Sequence, residues 1–263
     1  MSTSERTSSP QDPPGRAVAL VWRPGCASCA AAKEFLTVNG VPFESVNPVE
    51  PEGAARWAAL GSPRIPSLVL DGQTTAIYHP SQVAVLLGLT PAGRGEALRL
   101  AWDLAQIAES WSEELAGLPW ELLIAPTPSR GRTIRNLTVN VHEPLALMSE
   151  AWTSGSFAWD TDQDERRAAE LADADAVRSY AERRTAEWIA FLTDVGDALG
   201  SSDPVVQAGG ETIAFSTLLD AQRFHAAFHH RQIRTFLESR DAARTPALDL
   251  ARYVGLRLPD AVY

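Results

Sequence analysis

Two small groups of residues in this sequence have types and spacings that could support chemistry. Cys26 and Cys29, the only two cysteines, form a C-x-x-C pair between an apolar run and an alanine-rich stretch. His225 and His229 lie four residues apart near the other end of the chain. The cysteine pair could exchange thiols and disulfides, and the histidine pair could bind a metal ion.

The position of the cysteine pair favours redox chemistry. A thiolate is the reactive form of cysteine, and the start of a helix stabilises it through unpaired N–H groups and the positive end of the helix dipole. Cys26 directly precedes a helix predicted over 27–38, and Arg23 adds positive charge nearby. Cys29 follows one turn later and could resolve a mixed disulfide formed on Cys26. The alternatives are a structural disulfide or half of a zinc site, although no second Cys/His pair lies nearby in sequence.

The histidines indicate a candidate metal site. His225 and His229 project from one face of a predicted helix, and that spacing lets two imidazoles bind one ion. His142, beside the apolar stripe of a helix predicted over 133–150, is the third candidate ligand. Three neutral imidazoles with an open position are typical of catalytic zinc, with nickel or iron as alternatives. His230 lies about 100° further round the helix, so we expect it at the surface or in a supporting position. Core histidines in a bundle without metal are the other interpretation.

The first part of the chain alternates strand and helix patterns. Short apolar runs predict strands, and an alanine-rich run and two further segments predict helices. The order is βαβαββα, with strands over 16–22, 42–47, 65–70 and 74–78 and helices over 27–38, 52–60 and 81–89.

The second part reads as helical throughout. Helices are predicted over 96–115, 133–150, 175–199 and 212–240, with loops over 117–131, 151–164 and 200–210. Pro144 lies inside the second of these helices and is expected to kink or break it. Four helices without strands between them predict a bundle. The predicted organisation is therefore a tail over 1–15, an α/β domain over 16–90, a linker over 91–96, a four-helix bundle over 97–240 and a C-terminal extension over 241–263.

Composition restricts the class of protein. Hydrophobic residues make up 45% of the chain, as in globular proteins, and the net charge of -10 argues against nucleic-acid or anionic-membrane partners. No apolar run approaches the ~20 residues of a membrane span. Two cysteines without a disulfide framework favour a reducing compartment, so we expect a cytoplasmic protein. Positive charge comes almost entirely from arginine, with Lys33 the single lysine, which is typical of high-GC bacterial genomes.

The segment over about 16–90 resembles the glutaredoxins of the thioredoxin fold. The resemblance rests on the strand, C-x-x-C and helix around Cys26 and on Arg64-Ile65-Pro66. It implies a cis proline at Pro66 that faces the cysteine pair, with Ile65 offering its backbone to a thiol-bearing substrate. The Gly-Gly pair and acidic residue of glutathione-using members are replaced here by Tyr78-His79-Pro80-Ser81-Gln82. That departure favours another low-molecular-weight thiol, mycothiol for example.

The segment over about 97–240 resembles the DinB-like metal-binding bundles. Their motif is a histidine late in the second helix and H-x-x-x-H in the fourth, followed here by His230-Arg231-Gln232-Ile233. The resemblance implies that His142, His225 and His229 bind a divalent metal. It also implies a role as a thiol S-transferase, because the family includes transferases and isomerases that use mycothiol or bacillithiol, beside members with no known activity.

Together these features predict an enzyme of low-molecular-weight thiol chemistry. In this hypothesis the metal activates a small thiol, and Cys26 and Cys29 reduce a mixed disulfide, with Arg23, Ile65 and Pro66 holding the substrate. The alternative is a non-enzymatic metal-handling or sensor protein, in which the cysteines pass a soft ion to the histidines. Substrate and oligomeric state do not follow from the sequence.

Overall fold

The computed structural model describes residues 17–77, 83, 86–88, 97–253 and 255–259. The predicted tail over 1–15 and linker over 91–96 lie outside the described residues, as do residues 78–82 and most of the helix predicted over 81–89. No helix among the described residues is long and apolar enough to cross a membrane.

The first half is an α/β unit. Its described strands are β1 (Val18–Val21), β2 (Glu44–Val46), β3 (Ser67–Leu70) and β4 (Gln73–Ala76), and they lie in the order β2-β1-β3-β4. β1 pairs parallel to β2 and antiparallel to β3, and all four of its side chains are buried. A strand buried on both faces reads as a continuous apolar run, which is why the sequence predicted it. Helices α1 (Ala27–Val38) and α2 (Pro51–Ala59) follow the first two strands.

The second half is mainly helical. Its helices are α3 (Ala97–Leu115), α4 (Trp120–Leu123), α5 (Ile134–Ser154), α6 (Thr161–Glu170), α7 (Ala174–Ser201) and α8 (Phe215–Glu238), and a 3-10 turn follows at Leu250–Arg252. α3 packs against both α7 and α8, and α5 packs against α6, α7 and α8. The large core between them includes the buried rings of Trp111, Trp188, Phe215 and Phe236.

Three features of the second half correct the predictions from sequence. The loops predicted over 151–164 and 200–210 contain the short strands β5 (Ser156–Phe157) and β6 (Val205–Ala208). With β7 (Glu211–Ala214), which follows the second loop, they form a sheet in that order. Helix α6 was also missed. The predicted start of the last helix at 212 is wrong, because the first residues of that range pair with β6 and α8 begins at Phe215.

The expected break at Pro144 is absent from α5. The helix is continuous from Ile134 to Ser154 with Pro144 inside it. A proline lacks the N–H that would bond to the carbonyl four residues earlier, so one backbone hydrogen bond is lost at this point. Val141 and Leu145, on either side of Pro144, are buried in the core, and their packing holds the helix together across that gap.

The two halves meet at the start of α1. Ala27 packs against Phe228 of α8, and α1 lies against α8. Gly25 has a φ of +68° and lies so close to Ser129 that an added Cβ would come within 3.0 Å of its Oγ. The loop that precedes α1 is therefore fitted against the loop that precedes α5, and glycine satisfies both the backbone conformation and the close approach.

Candidate functional site

Cys26 caps the N-terminus of α1. Its backbone is extended, and its Sγ accepts a hydrogen bond from the backbone N–H of Cys29 at 3.3 Å. Cys26 is partly exposed, whereas Cys29 is buried, and both thiols are free. The apolar strand β1 ends at Val21, and Pro24-Gly25 turns the chain into the helix, which fixes Cys26 at this end. The structure thus gives the two sulfurs different access to solvent.

The environment gives the two thiols opposite acidities. The hydrogen bond from the Cys29 thiol, against the effect of burial and with help from the Cys29 backbone N–H, Arg130 and Arg23, lowers the pKa of Cys26 to about 7. Burial, and then the hydrogen bond to Cys26, raise the pKa of Cys29 well above its usual range. At neutral pH Cys26 is partly thiolate and Cys29 remains a thiol. This difference suits a nucleophile paired with a second cysteine that reacts later.

Ile65 and Pro66 lie in the same cavity as Cys26. The Ile65–Pro66 peptide bond is cis, as the glutaredoxin resemblance implies. One cavity of about 990 Å³ is lined by Ile65, Pro66, Cys26 and the exposed Arg23. The structure therefore brings Cys26 together with the three residues, Arg23, Ile65 and Pro66, that the sequence analysis placed around its substrate.

The same cavity reaches the histidine pair in the second half of the chain. Its lining includes His225 and His229 of α8, Phe157 of β5, and Trp159 and Asp164 beyond it. The rings of His225 and His229 are 4.7 Å apart and nearly perpendicular. The cysteine site and the histidine site thus face one cleft between the two halves, which the sequence could not establish.

His225 contacts an asparagine that the sequence analysis overlooked. Its Nε2 donates to Asn140 Oδ1 at 3.1 Å, and its Nδ1 is buried without a hydrogen-bond partner among the described residues. The Nδ2 group of Asn140 donates to Asp164 at 3.2 Å, and Trp159 Nε1 donates to the same carboxylate oxygen at 2.8 Å. Burial raises the pKa of Asp164 to about 6 despite these bonds.

Arg132 lies between the histidine pair and the thiol loop. Its guanidinium donates to Asn140 Oδ1 at 3.2 Å, to the carbonyl of Gly25 at 3.2 Å and to His229 Nε2 at 3.5 Å. His229 Nδ1 in turn donates to Gln232 Oε1 at 2.6 Å. Burial, followed by the charge of Arg130, lowers the pKa of Arg132 to about 9.

His142 is not brought to the pair. It is fully buried, its Nδ1 donates to the carbonyl of Thr138 at 2.8 Å, and its ring packs edge-on against Trp111. His142 is absent from the lining of the cleft. His230 does not lie at the surface, which was one of the two positions expected for it. It is buried, its ring packs edge-on against Trp111, and it bonds to Ser110 Oγ.

The residues around His225 and His229 do not fit the divalent metal that the DinB resemblance implies. Burial lowers the pKa of both rings, so they are neutral, but His225 Nε2 carries a proton toward Asn140 and His229 Nε2 accepts from Arg132. A guanidinium therefore occupies the His229 nitrogen that would bind the ion, and its charge would repel a cation there. In the described part of the chain no three His, Cys, Asp or Glu side chains are arranged to hold a metal.

Sequence reasoning missed four residues of the cleft: Arg130, Arg132, Asn140 and Asp164. Arg130 and Arg132 flank Gly131 in a polar loop, and such a loop carries no signal of what it contacts. Asn140 precedes His142 by two residues, which places it on nearly the opposite side of a helix at about 100° per residue. The ligand motif alone could not decide which of the two faces α8.

Comparison with known proteins supports the first half only. The glutaredoxin family model matches residues 18–74. No curated protein and no solved structure matches the chain. The matched segment contains both cysteines, Ile65 and Pro66, and it indicates thiol–disulfide oxidoreductase function for the α/β unit.

Proposed function

We propose that the glutaredoxin-like half makes this chain a reductase of mixed disulfides, with Cys26 as the nucleophile and Cys29 as the resolving cysteine. The observation that carries the proposal is the hydrogen bond from the Cys29 N–H to Cys26 Sγ at the start of α1. A donor aimed at sulfur stabilises the thiolate and therefore favours attack at neutral pH.

The reaction proceeds in two exchange steps. The Cys26 thiolate attacks one sulfur of a substrate disulfide, forms a mixed disulfide with that half and expels the other half as a thiolate, which takes a proton from water. Cys29 then loses its proton, attacks Cys26 Sγ and releases the first half as a thiol. The substrate gains two electrons, and the protein is left with a Cys26–Cys29 disulfide. Two equivalents of a low-molecular-weight thiol restore the dithiol and leave as their own disulfide.

Burial of Cys29 keeps the two steps in order. Because the pKa of Cys29 is raised, its thiol does not compete with Cys26 for the incoming disulfide. Ile65 and Pro66 line the cleft beside Cys26, and we infer that they hold the substrate across the sulfur, while Arg23 favours the thiolate. The second half supplies the opposite wall of the cleft.

The proposal is tested with the Cys29→Ser variant and a mixed disulfide between a reporter peptide and 2-mercaptoethanol. This variant should complete the first exchange and stop, so that one equivalent of leaving thiol appears per chain in a burst. Continued turnover at the wild-type rate would show that Cys29 is not the resolving residue. If the Cys29→Ser variant gives no burst and the wild-type protein does not turn over, the proposed function is contradicted.

The pH dependence of Cys26 provides a prediction that needs no substrate. Alkylation by iodoacetamide should rise with pH and level off above a midpoint near 7, because the thiolate is the reacting form. The same cysteine in the urea-unfolded protein should show a midpoint of about 8.5. Rates followed by mass spectrometry of the Cys26 peptide measure both midpoints. A folded midpoint equal to the unfolded one would contradict the role given to the Cys29 hydrogen bond.

Removal of metal ions is expected to leave disulfide reduction unchanged. The thiol exchange uses Cys26 and Cys29, and Arg132 donates to the His229 nitrogen that would bind an ion. Wild-type protein should therefore turn over at the same rate, within about twofold, after dialysis against EDTA. Activity that is lost with EDTA and restored by zinc would revive the three-histidine site or the metal-handling alternative. Metal analysis of a variant lacking both cysteines would then separate those two.

A further inference from the structure

The half-buried guanidinium of Arg132 lies beside the thiol loop, and it forms no ion pair with an acidic side chain among the described residues. Among the described residues, the hydrogen-bond partners of Arg132 are neutral: Asn140 Oδ1, the carbonyl of Gly25, Ser129 Oγ and the uncharged ring of His229. The Nε group is buried and has no hydrogen-bond partner in the part of the chain that the structure describes. No ion pair of Arg132 occurs in the described ranges. A partly buried charge that is balanced only through space, by the Cys26 thiolate and Glu165, is costly, so this arrangement calls for an explanation.

The second observation is the polar lining around this arginine. His225 Nδ1 is a buried acceptor that lines the same cleft and has no partner among the described residues. Arg130, exposed at the mouth of the cleft, adds a second guanidinium close enough to affect the charge of both Arg132 and Cys26. Two guanidiniums and an imidazole nitrogen without a described partner form a polar subsite on the second half, and Arg132 reaches from it to the carbonyl of Gly25, the residue before Cys26.

The acidic residues of the cleft do not neutralise this subsite. Asp164 is occupied by Trp159 and Asn140, and its raised pKa keeps part of it uncharged at neutral pH. Asp162 and Glu165 are exposed, and the described contacts include no ion pair between either carboxylate and Arg130 or Arg132; Glu165 acts on both arginines through space. The net field at the end near Cys26 is therefore positive.

We propose that Arg132, with Arg130 at the mouth of the cleft, binds a carboxylate or similar anionic group on the molecule that reacts at Cys26. The substrate class would then be an anionic low-molecular-weight thiol in its mixed disulfide, held by the second half while the first half attacks the sulfur. A planar guanidinium suits such a group because it donates in a fork. Naming the ligand as a disulfide rests on the proposed function above, but the anion subsite itself does not.

The subsite is tested by alkylating Cys26 with two reagents of nearly equal size, anionic iodoacetate and neutral iodoacetamide. All variants are made in the Cys29→Ser background, so that Cys26 is the only thiol. The ratio of the two rate constants cancels any change in the pKa or exposure of the sulfur. It therefore reports how strongly the site prefers an anion, a quantity that a merely structural arginine would not affect.

Arg132→Gln is expected to lower the iodoacetate-to-iodoacetamide ratio roughly tenfold, and Arg132→Lys should retain most of it. Arg130→Gln should lower the ratio by a smaller factor. If Arg132→Gln does not fold, an unchanged ratio in Arg130→Gln would overturn the proposal. The matched control is Arg56→Gln, which removes an exposed arginine paired with Glu44 outside the cleft. An unchanged ratio in the folded Arg132 variant, or an equal fall in the Arg56 variant, would overturn the proposal.

Turnover then identifies the substrate class. The wild-type protein should reduce the mixed disulfide of a reporter peptide with 3-mercaptopropionate at a higher kcat/KM than the one with 2-mercaptoethanol. Arg132→Gln should lose that preference mainly through KM. If wild-type protein reduces neither, the oxidoreductase function fails while the alkylation ratio still decides whether the anion subsite exists. Equal kcat/KM for both would overturn the assignment of substrate class.

Discussion

Replacing Cys26 by serine is expected to reduce the rate of disulfide reduction by roughly 10³-fold or more, the scale on which loss of a catalytic nucleophile acts. A serine hydroxyl remains protonated near neutral pH and cannot form the mixed disulfide. Cys29 cannot substitute, because it is buried and its pKa is raised. Steady-state reduction of a peptide–thiol mixed disulfide measures the effect.

The matched control for this prediction is Ser28→Ala. Ser28 lies within the same C-x-x-C motif and lines the cleft, and the change removes its hydroxyl but leaves both sulfurs in place. We expect its rate to stay within about threefold of wild type, because the nucleophile and its N–H donor are unchanged. A Cys26→Ser protein as active as the wild type would mean that the reaction occurs elsewhere in the chain.

Replacing Glu114 by alanine is expected to cause the largest loss of stability, about 3 kcal/mol. This carboxylate is completely buried on α3 and accepts hydrogen bonds from the backbone N–H groups of Arg244 and Thr245. It also pairs with Arg234 of α8 at 3.3 Å and with the hydroxyl of Thr245. Its loss would leave several buried donors unsatisfied and free the C-terminal extension from the bundle. Urea unfolding followed by circular dichroism measures the change.

The pH dependence gives this second prediction its direction. Burial acts to raise the pKa of Glu114, but Thr245, the two backbone N–H groups and Arg234 outweigh it and leave the pKa below its usual value. The stabilisation is therefore present above the unfolded pKa of about 4.3 and is lost as the pH falls through the lower folded value. The difference between wild type and Glu114→Ala should shrink below pH 4. Glu109→Ala, an exposed change on the same helix, should cost less than about 0.5 kcal/mol. An equal cost for both variants would contradict this role for Glu114.

Local pattern predicted the first half of the fold well. Helix α1 has the predicted bounds, because an alanine-rich run follows a capping residue and ends before Asn39-Gly40. β1 and β3 were found from short apolar runs. In these elements local propensity and burial agree, so the sequence alone is informative.

The elements that were missed lack that agreement. Helix α6 spans ten mostly charged residues with two buried side chains, so it shows no apolar stripe. The β6–β7 hairpin turns at Gly209-Gly210, both with positive φ, and this Gly-Gly pair between strand-like residues was the available signal. It was read as a turn between helices because the flanking strands have only four residues each.

The cleft itself depends on tertiary contacts that no motif encodes. The cysteine pair and the histidine pair were each identified from spacing. Arg132, which contacts both Gly25 and His229, comes from a loop about ninety residues away in sequence from α1 and from α8. Asn140 faces His225 because α5 turns its apolar stripe, with His142 beside it, toward Trp111. Only the packing of α5 against α8 decides between these neighbours.

The central claim is that Cys26 reacts with a disulfide inside a cleft that both halves form. The most direct measurement is peptide mass spectrometry of the Cys29→Ser protein after incubation with the mixed disulfide of a reporter peptide and 3-mercaptopropionate. The account predicts one covalent adduct per chain, located on Cys26, and a lower yield at equal time for the Arg132→Gln protein in the same background. An unmodified Cys26 under conditions in which the wild-type protein turns over the same disulfide would contradict it.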